Sequence, residues 1–225
     1  MYFHHMQRTA IIVAGGKGTR MGVDLPKQFI VINGLPILGH TLQRFAQFDS
    51  TMELIVVLPI DWISFWDEER SKYTLPEHTV VEGGQERFNS VLNGIKAVSK
   101  ASNLIAVHDA VRPCVSLPTI ERCFAKAGKS GAAIPVVKMV NSLRKLQEEG
   151  SISVDRSDYR SVQTPQVFQA DLLRESYNQP FASEFTDDAS VVEKAGHGVH
   201  LVEGNPENVK ATNPQDLVLL RHFLS

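Results

Sequence analysis

The sequence predicts an α/β protein with a Rossmann-like, mostly parallel sheet and helices on both of its faces. Short apolar runs recur along the chain, and amphipathic stretches separate most of them, which is the alternation expected of βαβ units. Most of these runs are unbroken, as is typical of strands that are buried on both faces of a sheet. They fall at residues 11–14, 54–58, 80–81, 104–107, 132–137 and 199–202.

Length and composition restrict the class of protein. The 225 residues suit a single domain over 1–225, and the net charge of −2 gives no general attraction to nucleic acid. No apolar run approaches the roughly 18 residues that span a bilayer, so no membrane partner is expected. Residues 1–8 lack the apolar core of a signal peptide, and we expect a cytoplasmic location. Cys114 and Cys123 lack CxxC spacing, so reduced thiols are expected.

Three further segments complete the predicted architecture. Residues 38–48 and 91–98 repeat apolar side chains at helical spacing, which predicts two helices that face the core. Residues 140–160 are polar, with a turn signal at Glu149 and Gly150 between two short strand-like runs. We predict a protruding β-hairpin arm there. A loose surface loop is the alternative, because a polar hairpin has no core of its own.

A glycine-rich turn follows the first predicted strand, in the sequence IIVAGGKGTRMGVDLPKQ at residues 11–28. Its glycines allow backbone N–H groups to approach phosphate oxygens closely, and its cations would repel one another without a bound polyanion. The turn is therefore predicted to hold a nucleoside triphosphate, and a surface loop with solvated charges is the alternative. The glycines of the turn are Gly15, Gly16 and Gly18, and its cations are Lys17, Arg20 and Lys27.

Spacing separates three known designs of phosphate loop. The P-loop pattern GxxxxGK[ST] fails because the chain has no Gly-Lys-Ser/Thr. The dinucleotide pattern GxGxxG is disfavoured because the spacing here is GxGxxxG and Pro26 interrupts an immediate long helix. The third pattern, AGGxGxRM followed by PK, is present in all its parts. In that design the loop wraps the phosphates, and the lysine arrives from its far end.

With this loop, the chain resembles the nucleotidyltransferases that activate sugars and alcohols. It resembles most closely the 2-C-methyl-D-erythritol 4-phosphate cytidylyltransferase family of the non-mevalonate isoprenoid pathway. The resemblance covers residues 10 to about 220, and several blocks in the right order are more specific than one glycine motif. The further blocks are EGGQERFNSV at 82–91, HDAVRP at 108–113, VDR at 154–156, QTPQVF at 163–168, FTDDASVVE at 185–193 and LVEGNPENVKAT at 201–212.

The resemblance implies transfer of the cytidylyl group of CTP to 2-C-methyl-D-erythritol 4-phosphate. The products would be 4-diphosphocytidyl-2-C-methyl-D-erythritol and pyrophosphate. Negative charge gathers around one phosphorus in such a transition state, so catalysis needs positioning and preorganised positive charge. Two alternatives stay open: a ribitol 5-phosphate cytidylyltransferase, which shares the loop and the DAVRP block, and a non-catalytic nucleotide-binding protein.

The family's functional residues map onto positions of this chain. By resemblance, Arg20 and Lys27 stabilise the α-phosphoryl group, and Arg156 and Lys210 orient the attacking phosphate. The residues expected to contact the nucleotide are Ala14, Gly15, Gly16, Gly18, Gly84, Gln85, Ser90, Asp109 and Ala110. The residues expected to contact the acceptor are Ser142, Arg112, Arg156, Thr186 and Lys210.

Asp109 is the candidate ligand for Mg²⁺, the one cofactor that we expect. It follows the apolar run 104–107, at the carboxyl edge where open α/β sheets place their ligands. Magnesium bridging phosphate oxygens needs only one or two protein carboxylates and keeps several waters. Helix capping or a loop salt bridge is the alternative role. The neighbouring His108 is interpreted as structural, because magnesium prefers oxygen donors.

Two positions depart from the family pattern: Gln85 stands where relatives can carry an acid, and Asn141 precedes Ser142 where Asp-Thr is common. By resemblance, Ser142 and Arg156 belong to the arm and reach the site of the partner subunit. This implies a homodimer with composite active sites, in which another chain covers the arm.

Three polar residues have mainly local interpretations. Arg87 is assigned either to the base-binding block or to the first turn of the next helix. Asp187 and Asp188 are interpreted as acids that cap a helix, since acids are favoured at its positive end.

Overall fold

A computed structural model describes residues 6–15 and 25–225, and a mostly parallel sheet forms its centre. Within these residues, the strands are β1 (Arg8–Val13), β2 (Val31–Ile32), β3 (Leu35–Pro36), β4 (Glu53–Leu58), β5 (Thr79–Glu82), β6 (Leu104–Asp109), β7 (Ala132–Lys138), β8 (Leu143–Leu146), β9 (Ser151–Val154), β10 (Arg160–Val162), β11 (Gln166–Gln169) and β12 (His200–Glu203). The helices are α1 (Ile37–Phe48), α2 (Ile63–Arg70), α3 (Arg87–Ala97), α4 (Leu117–Ser130), α5 (Ala170–Ser176), α6 (Asp188–Lys194) and α7 (Pro214–Phe223).

Eight of these strands form the main sheet. Strands β5, β4, β1 and β6 are neighbours in that order, and all three pairings are parallel. β11 pairs antiparallel with both β6 and β7, while β10 pairs antiparallel and β12 parallel with β7. The carboxyl ends of β1, β4, β5 and β6 therefore meet at one edge, where ligands bind in open α/β sheets.

Alternate residues of β1 enter two different hydrophobic clusters. Ala10 and Ile12 pack with residues of α1, α2 and α4, whereas Ile11 and Val13 pack with residues of α3, α5 and α6. Because side chains alternate across a strand, this division places helices on both faces of the sheet. The predicted fold class is thus confirmed, and α1 and α3 include most of the two predicted helices.

The predicted hairpin is also confirmed, and the loose-loop alternative is wrong. β8 and β9 pair antiparallel, and the Gln147 N–H donates to the Gly150 carbonyl. Gly150 has a φ of +80°, a left-handed value that suits glycine at such a turn. Leu146 and Ile152 are 80% and 44% exposed, so the hairpin presents apolar side chains to its surroundings. Its role in a dimer stays a prediction.

The fold also gives information about membrane-spanning helices and about the two cysteines. Among the helices of residues 6–15 and 25–225, none combines the length and the apolarity that a bilayer crossing requires. Cys114 and Cys123 are buried and form no disulfide with each other, and their redox state stays a prediction. Burial raises the pKa of Cys114 to about 11 and that of Cys123 to about 12, so both thiols stay protonated near neutral pH.

Gly94 lets α3 pack closely on the sheet, and this contact gives a stability prediction. A Cβ at this position would lie 2.6 Å from Ile11 Cγ2 and 3.2 Å from Val57 Cγ2, both in fully buried side chains. We expect Gly94→Ala to lower the free energy of unfolding by about 1–2 kcal/mol, because overpacking outweighs the gain in helix propensity. Urea unfolding measures the change.

The matched control is Gly198→Ala. No heavy atom lies within 4 Å of a Cβ built at Gly198. The control should therefore leave the urea midpoint almost unchanged. Equal midpoints for Gly94→Ala and the parent chain would contradict the packing argument.

Candidate active site

Two adjoining cavities open at the carboxyl edge of the sheet. The first has a volume of about 420 Å³ and is lined by residues that include Ala14, Gly15, Lys27, Gly84, Gln85 and Ser90. The second has a volume of about 300 Å³ and is lined by residues that include Arg112, Gln163, Thr164, Gln166 and Thr186. Arg87, Asp109 and Lys210 line both. Several of the predicted nucleotide residues thus line one cavity, several of the predicted acceptor residues line the other, and Asp109 and Lys210 line the wall between them.

Asp109 lies at the centre of this wall, as the last residue of β6. Its Oδ2 lies 3.0 Å from Arg112 Nε and 3.1 Å from Lys210 Nζ, and the residue is 7% exposed. Burial alone would raise the pKa of Asp109, but the charges of Lys210, Arg87 and Arg112 outweigh it and hold that pKa well below its ordinary value. The carboxylate therefore stays ionised throughout the neutral range.

A hydrogen-bond chain behind Asp109 fixes the end of β6. His108 Nε2 lies 3.0 Å from the Arg112 carbonyl, and its Nδ1 lies 3.0 Å from Thr164 Oγ1. A carbonyl can only accept, so Nε2 carries the proton and Nδ1 accepts from the threonine hydroxyl. Thr164 Oγ1 in turn accepts from the Asp109 N–H at 3.1 Å. Burial lowers the pKa of His108 to about 4, and the neutral ring agrees with the structural role inferred from sequence.

Lys27 enters the first cavity from a short 3-10 turn, Lys27–Phe29, that follows Pro26. The buried Gln28 donates from Nε2 to the Ala14 carbonyl at 3.0 Å, which ties this turn to the end of β1. Phe29 packs against the rings of Trp62, Phe65 and Trp66. Gln28 is a site residue that sequence reasoning missed, and its place beside Lys27 in the PK pattern was the available signal.

The loop after β5 forms the opposite side of the first cavity. The Gly84 N–H donates to Ser90 Oγ at 3.1 Å, and that hydroxyl donates to the Glu86 carbonyl at 3.1 Å. A Cβ at Gly84 would lie 2.3 Å from Asn89 Cβ, so only glycine fits without a rearrangement. The buried Ser90 shapes the loop, whereas the exposed Gln85 lines the cavity.

The second cavity brings together the predicted acceptor residues Arg112, Thr186 and Lys210. Arg112 uses Nη1 to bond the Asn208 carbonyl at 2.9 Å, so its guanidinium spans two chain segments. Thr186 is exposed and immediately precedes Asp187, the N-cap of α6, whose side chain accepts from the Ser190 N–H. The capping interpretation of Asp187 is therefore confirmed.

Arg87 and Asp188 have a role that the sequence interpretation missed. Arg87 Nη1 and Nη2 donate to Asp188 Oδ1 and Oδ2 at 2.9 and 2.7 Å, and Asp188 is fully buried. Asp188 is thus an ion-pair partner, not simply an acid at a helix start. One signal was available in the sequence, because a cation in the first turn of a helix is unfavourable unless an acid compensates it.

Some predicted site residues lie outside the two cavities. Ala110 is buried, and its backbone bonds to the Val13 carbonyl and the Thr41 hydroxyl. Ser142 precedes the hairpin strand β8, and Arg156 lies just beyond β9 with its guanidinium on the Val140 carbonyl. Gly16, Gly18 and Arg20 are predicted site residues that lie outside the described residues. Lys17 lies outside them as well.

This arrangement is suited to binding anions beside a single buried carboxylate. Within residues 6–15 and 25–225, no group of three or more His, Cys, Asp or Glu side chains is placed to hold a metal by itself. Both ion pairs of Asp109 are made through Oδ2, and no described residue donates a hydrogen bond to Oδ1. Among the described residues, Asp109 thus offers one carboxylate oxygen without a donor, which fits a magnesium ion whose other ligands are phosphate and water.

Comparison with known proteins identifies the family. The sequence profile of the 2-C-methyl-D-erythritol 4-phosphate cytidylyltransferases matches residues 8–225. The enzyme of that name from Bacteroides thetaiotaomicron is 50% identical over 214 residues, which are 94% of this chain and 97% of the relative. The one from Porphyromonas gingivalis is 48% identical and covers 97% of this chain and 98% of its own.

Solved structures agree with the sequence relatives. The 4-diphosphocytidyl-2C-methyl-D-erythritol synthase of Anaerococcus prevotii has a TM-score of 0.83 at 28% identity, over 97% of this chain and 96% of its own. The 2-C-methyl-D-erythritol 4-phosphate cytidylyltransferase of Thermus thermophilus has a TM-score of 0.76 at 33% identity, over 96% and 98%. With its fold, its paired cavities and these near full-length matches, the chain belongs to the 2-C-methyl-D-erythritol 4-phosphate cytidylyltransferase family.

Proposed function

We propose that this enzyme transfers the cytidylyl group of CTP to 2-C-methyl-D-erythritol 4-phosphate and releases pyrophosphate. The observation that carries the proposal is the shared wall at Asp109, where two cavities meet between the cations Lys210 and Arg112. Two phosphorylated substrates repel each other, so a site that joins them must supply positive charge from both sides.

We assign CTP to the first cavity. The glycine-lined edge at Gly15 and the ammonium of Lys27 suit the triphosphate, and the loop of Gly84 and Gln85 suits the edge of the base. Lys27 then faces the α-phosphoryl group, where it offsets the charge that develops in the transition state. Arg20, Gly16 and Gly18 stay predicted members of this set.

We assign the acceptor phosphate to the second cavity, beside Lys210, Arg112 and Thr186. One acceptor phosphate oxygen attacks the α-phosphorus, a new P–O bond forms, and the bond to the β-phosphate oxygen breaks as pyrophosphate leaves. Lys210 is positioned for the attacking phosphate because it lines both cavities. Holding the two phosphates side by side in adjoining cavities converts a bimolecular step into an effectively unimolecular one.

We further propose that the carboxylate of Asp109, at the wall shared by the two cavities, would hold Mg²⁺. When bound there, the ion would neutralise negative charge on the phosphates. Arg112 and Lys210 keep the carboxylate ionised and oriented, and His108 and Thr164 fix the backbone that carries it.

The assembly that we propose is a homodimer with composite active sites. The exposed apolar residues of the hairpin, such as Leu146 and Ile152, support cover by a second chain. In that arrangement Ser142 and Arg156 serve the partner subunit's site, since neither lines the two cavities of the chain's described residues. The cytoplasmic location stays a prediction.

Purified protein with CTP and Mg²⁺ tests the proposed reaction, with pyrophosphate release as the measured quantity. We expect turnover with 2-C-methyl-D-erythritol 4-phosphate and little with ribitol 5-phosphate. A chelator should stop the reaction, and added Mg²⁺ should restore it, because the metal neutralises phosphate charge. Turnover only of ribitol 5-phosphate would favour the alternative enzyme, and full turnover with chelator would contradict the metal assignment.

Lys27→Ala tests the role of the lysine at the loop's far end. We expect kcat to fall by roughly 100-fold or more, since a lost transition-state donor costs on the order of 3 kcal/mol. The thermal midpoint should stay close to that of the parent, because Lys27 lies at the wall of an open cavity. Lys100→Ala, at an exposed lysine, is the matched control for the loss of one charge.

Mixing two inactive variants tests the composite site. If Arg156 serves the partner, a heterodimer of a Lys27→Ala chain and an Arg156→Gln chain contains one site with both side chains intact. Random subunit exchange at equal concentrations should then restore about a quarter of parental activity, because half of the dimers carry one working site each.

The same experiment contradicts the proposal of composite sites if activity does not return. Should Arg156 serve its own chain's site, every site in the mixture carries one defect. The mixture would then stay as inactive as its components. Native mass spectrometry of the mixed sample confirms that the chains have exchanged.

A further inference from the structure

We propose that Arg87 contacts both substrates, and that Asp188 and Tyr177 are positioning residues that hold its guanidinium at the wall between the two cavities. This inference rests on the proposed function and adds a residue to it. Arg87 lines the nucleotide cavity and the acceptor cavity, a place that it shares with Asp109 and Lys210.

Asp188 holds the guanidinium of Arg87 in a bidentate ion pair. Arg87 Nη1 and Nη2 each donate one hydrogen bond to Asp188, and the Tyr177 hydroxyl donates to Asp188 Oδ1 at 2.7 Å. Burial and the Asp188 charge raise the pKa of Tyr177 well above its ordinary value, so the hydroxyl keeps its proton. Three donors thus fix one fully buried carboxylate, which orients the arginine.

Much of the guanidinium remains available for phosphate. Arginine has five N–H donors, and only two are directed at Asp188. The Arg87 side chain is 31% exposed, whereas Asp188 is fully buried, so the exposed part of the pair is the cation. Arg87 and Asp109 line the same two cavities, which places the guanidinium charge near the proposed reaction centre.

A purely structural ion pair is a poor explanation for this arrangement. Burying an ion pair costs desolvation energy that well-packed apolar residues would avoid, and the first turn of α3 is an unfavourable place for a cation. A phosphate partner accounts for both features, because the arginine is then needed for its exposed donors.

The neighbouring rings connect the same residues to both substrate loops. Phe88 stacks between Tyr177 and Phe185, with ring centroids 4.7 and 5.6 Å away. Phe185 directly precedes Thr186 of the acceptor cavity, and Arg87 begins the helix that follows the Gly84 loop. The Arg87–Asp188 pair therefore joins the loop that faces the nucleotide to the loop that faces the acceptor.

Arg87→Gln tests the substrate contact through both ligands. We expect the dissociation constant of CTP, measured by calorimetry, to rise about 30-fold, since charged hydrogen bonds are lost. The KM of the acceptor in the pyrophosphate assay should also rise severalfold. Arg87→Lys keeps the charge but not the bidentate geometry, so it should give a smaller rise in both constants. Values within twofold of the parent for Arg87→Gln would overturn the proposal.

Tyr177→Phe tests the positioning role, because it keeps the stacked ring and removes only the hydroxyl. Alone, it should raise the CTP dissociation constant about fivefold, the effect of one hydrogen bond. In the Arg87→Gln background it should have no further effect, since Tyr177 acts through the arginine. An equal effect in both backgrounds would assign Tyr177 a merely structural role and overturn this part of the inference.

Two comparisons keep these outcomes separate from other failures. Asp171→Asn removes the acid of the exposed Arg174–Asp171 pair and should change neither constant. If the parent binds CTP but turns over no acceptor, the proposed function fails, while the calorimetric comparison still decides the role of Arg87. Thermal midpoints near that of the parent show that each variant is folded.

Discussion

The buried carboxylate of Asp109 is the constraint on which the site depends. An ionised carboxylate away from water is stable only when charges and hydrogen bonds compensate it. Lys210 and Arg112 contact it directly, Arg87 acts on it from a greater distance, and His108 helps to fix its backbone. Because the negative charge of Asp109 must be compensated, these basic groups lie around it, at the wall between the two cavities.

This charge balance also prepares the site for its substrates. The cations that neutralise Asp109 in the free enzyme are the same groups that we assign to the phosphates. When CTP and the acceptor phosphate enter, they meet donors that are already oriented, so little reorganisation is needed in the transition state. Arg87 fits the same logic, because its own carboxylate partner Asp188 fixes it in place.

Much of the site could be predicted from sequence where a residue's role follows from its neighbours along the chain. Lys27 follows Pro26, Asp109 ends a buried strand, and Gly84 lies in a turn too tight for a side chain. Arg87 was ambiguous because its partner Asp188 is 101 residues away. A cation in the first turn of a helix indicates a compensating acid, but no local pattern shows which acid it is. Ion pairs of this kind are visible only when two distant helix starts are brought together.

The sequence by itself determined the fold class and the family, because these depend on local periodicity and the order of motifs; it favoured the hairpin through turn chemistry, and the structure decided between hairpin and loose loop. The sequence also identified ten of the 21 residues that line the two cavities. Only the tertiary structure decided which cavity each residue lines, that Ser90 shapes a loop, and that Arg87 belongs to both cavities. The physical reason is that burial, charge compensation and hydrogen-bond partners are properties of neighbours in space, which a linear pattern does not specify.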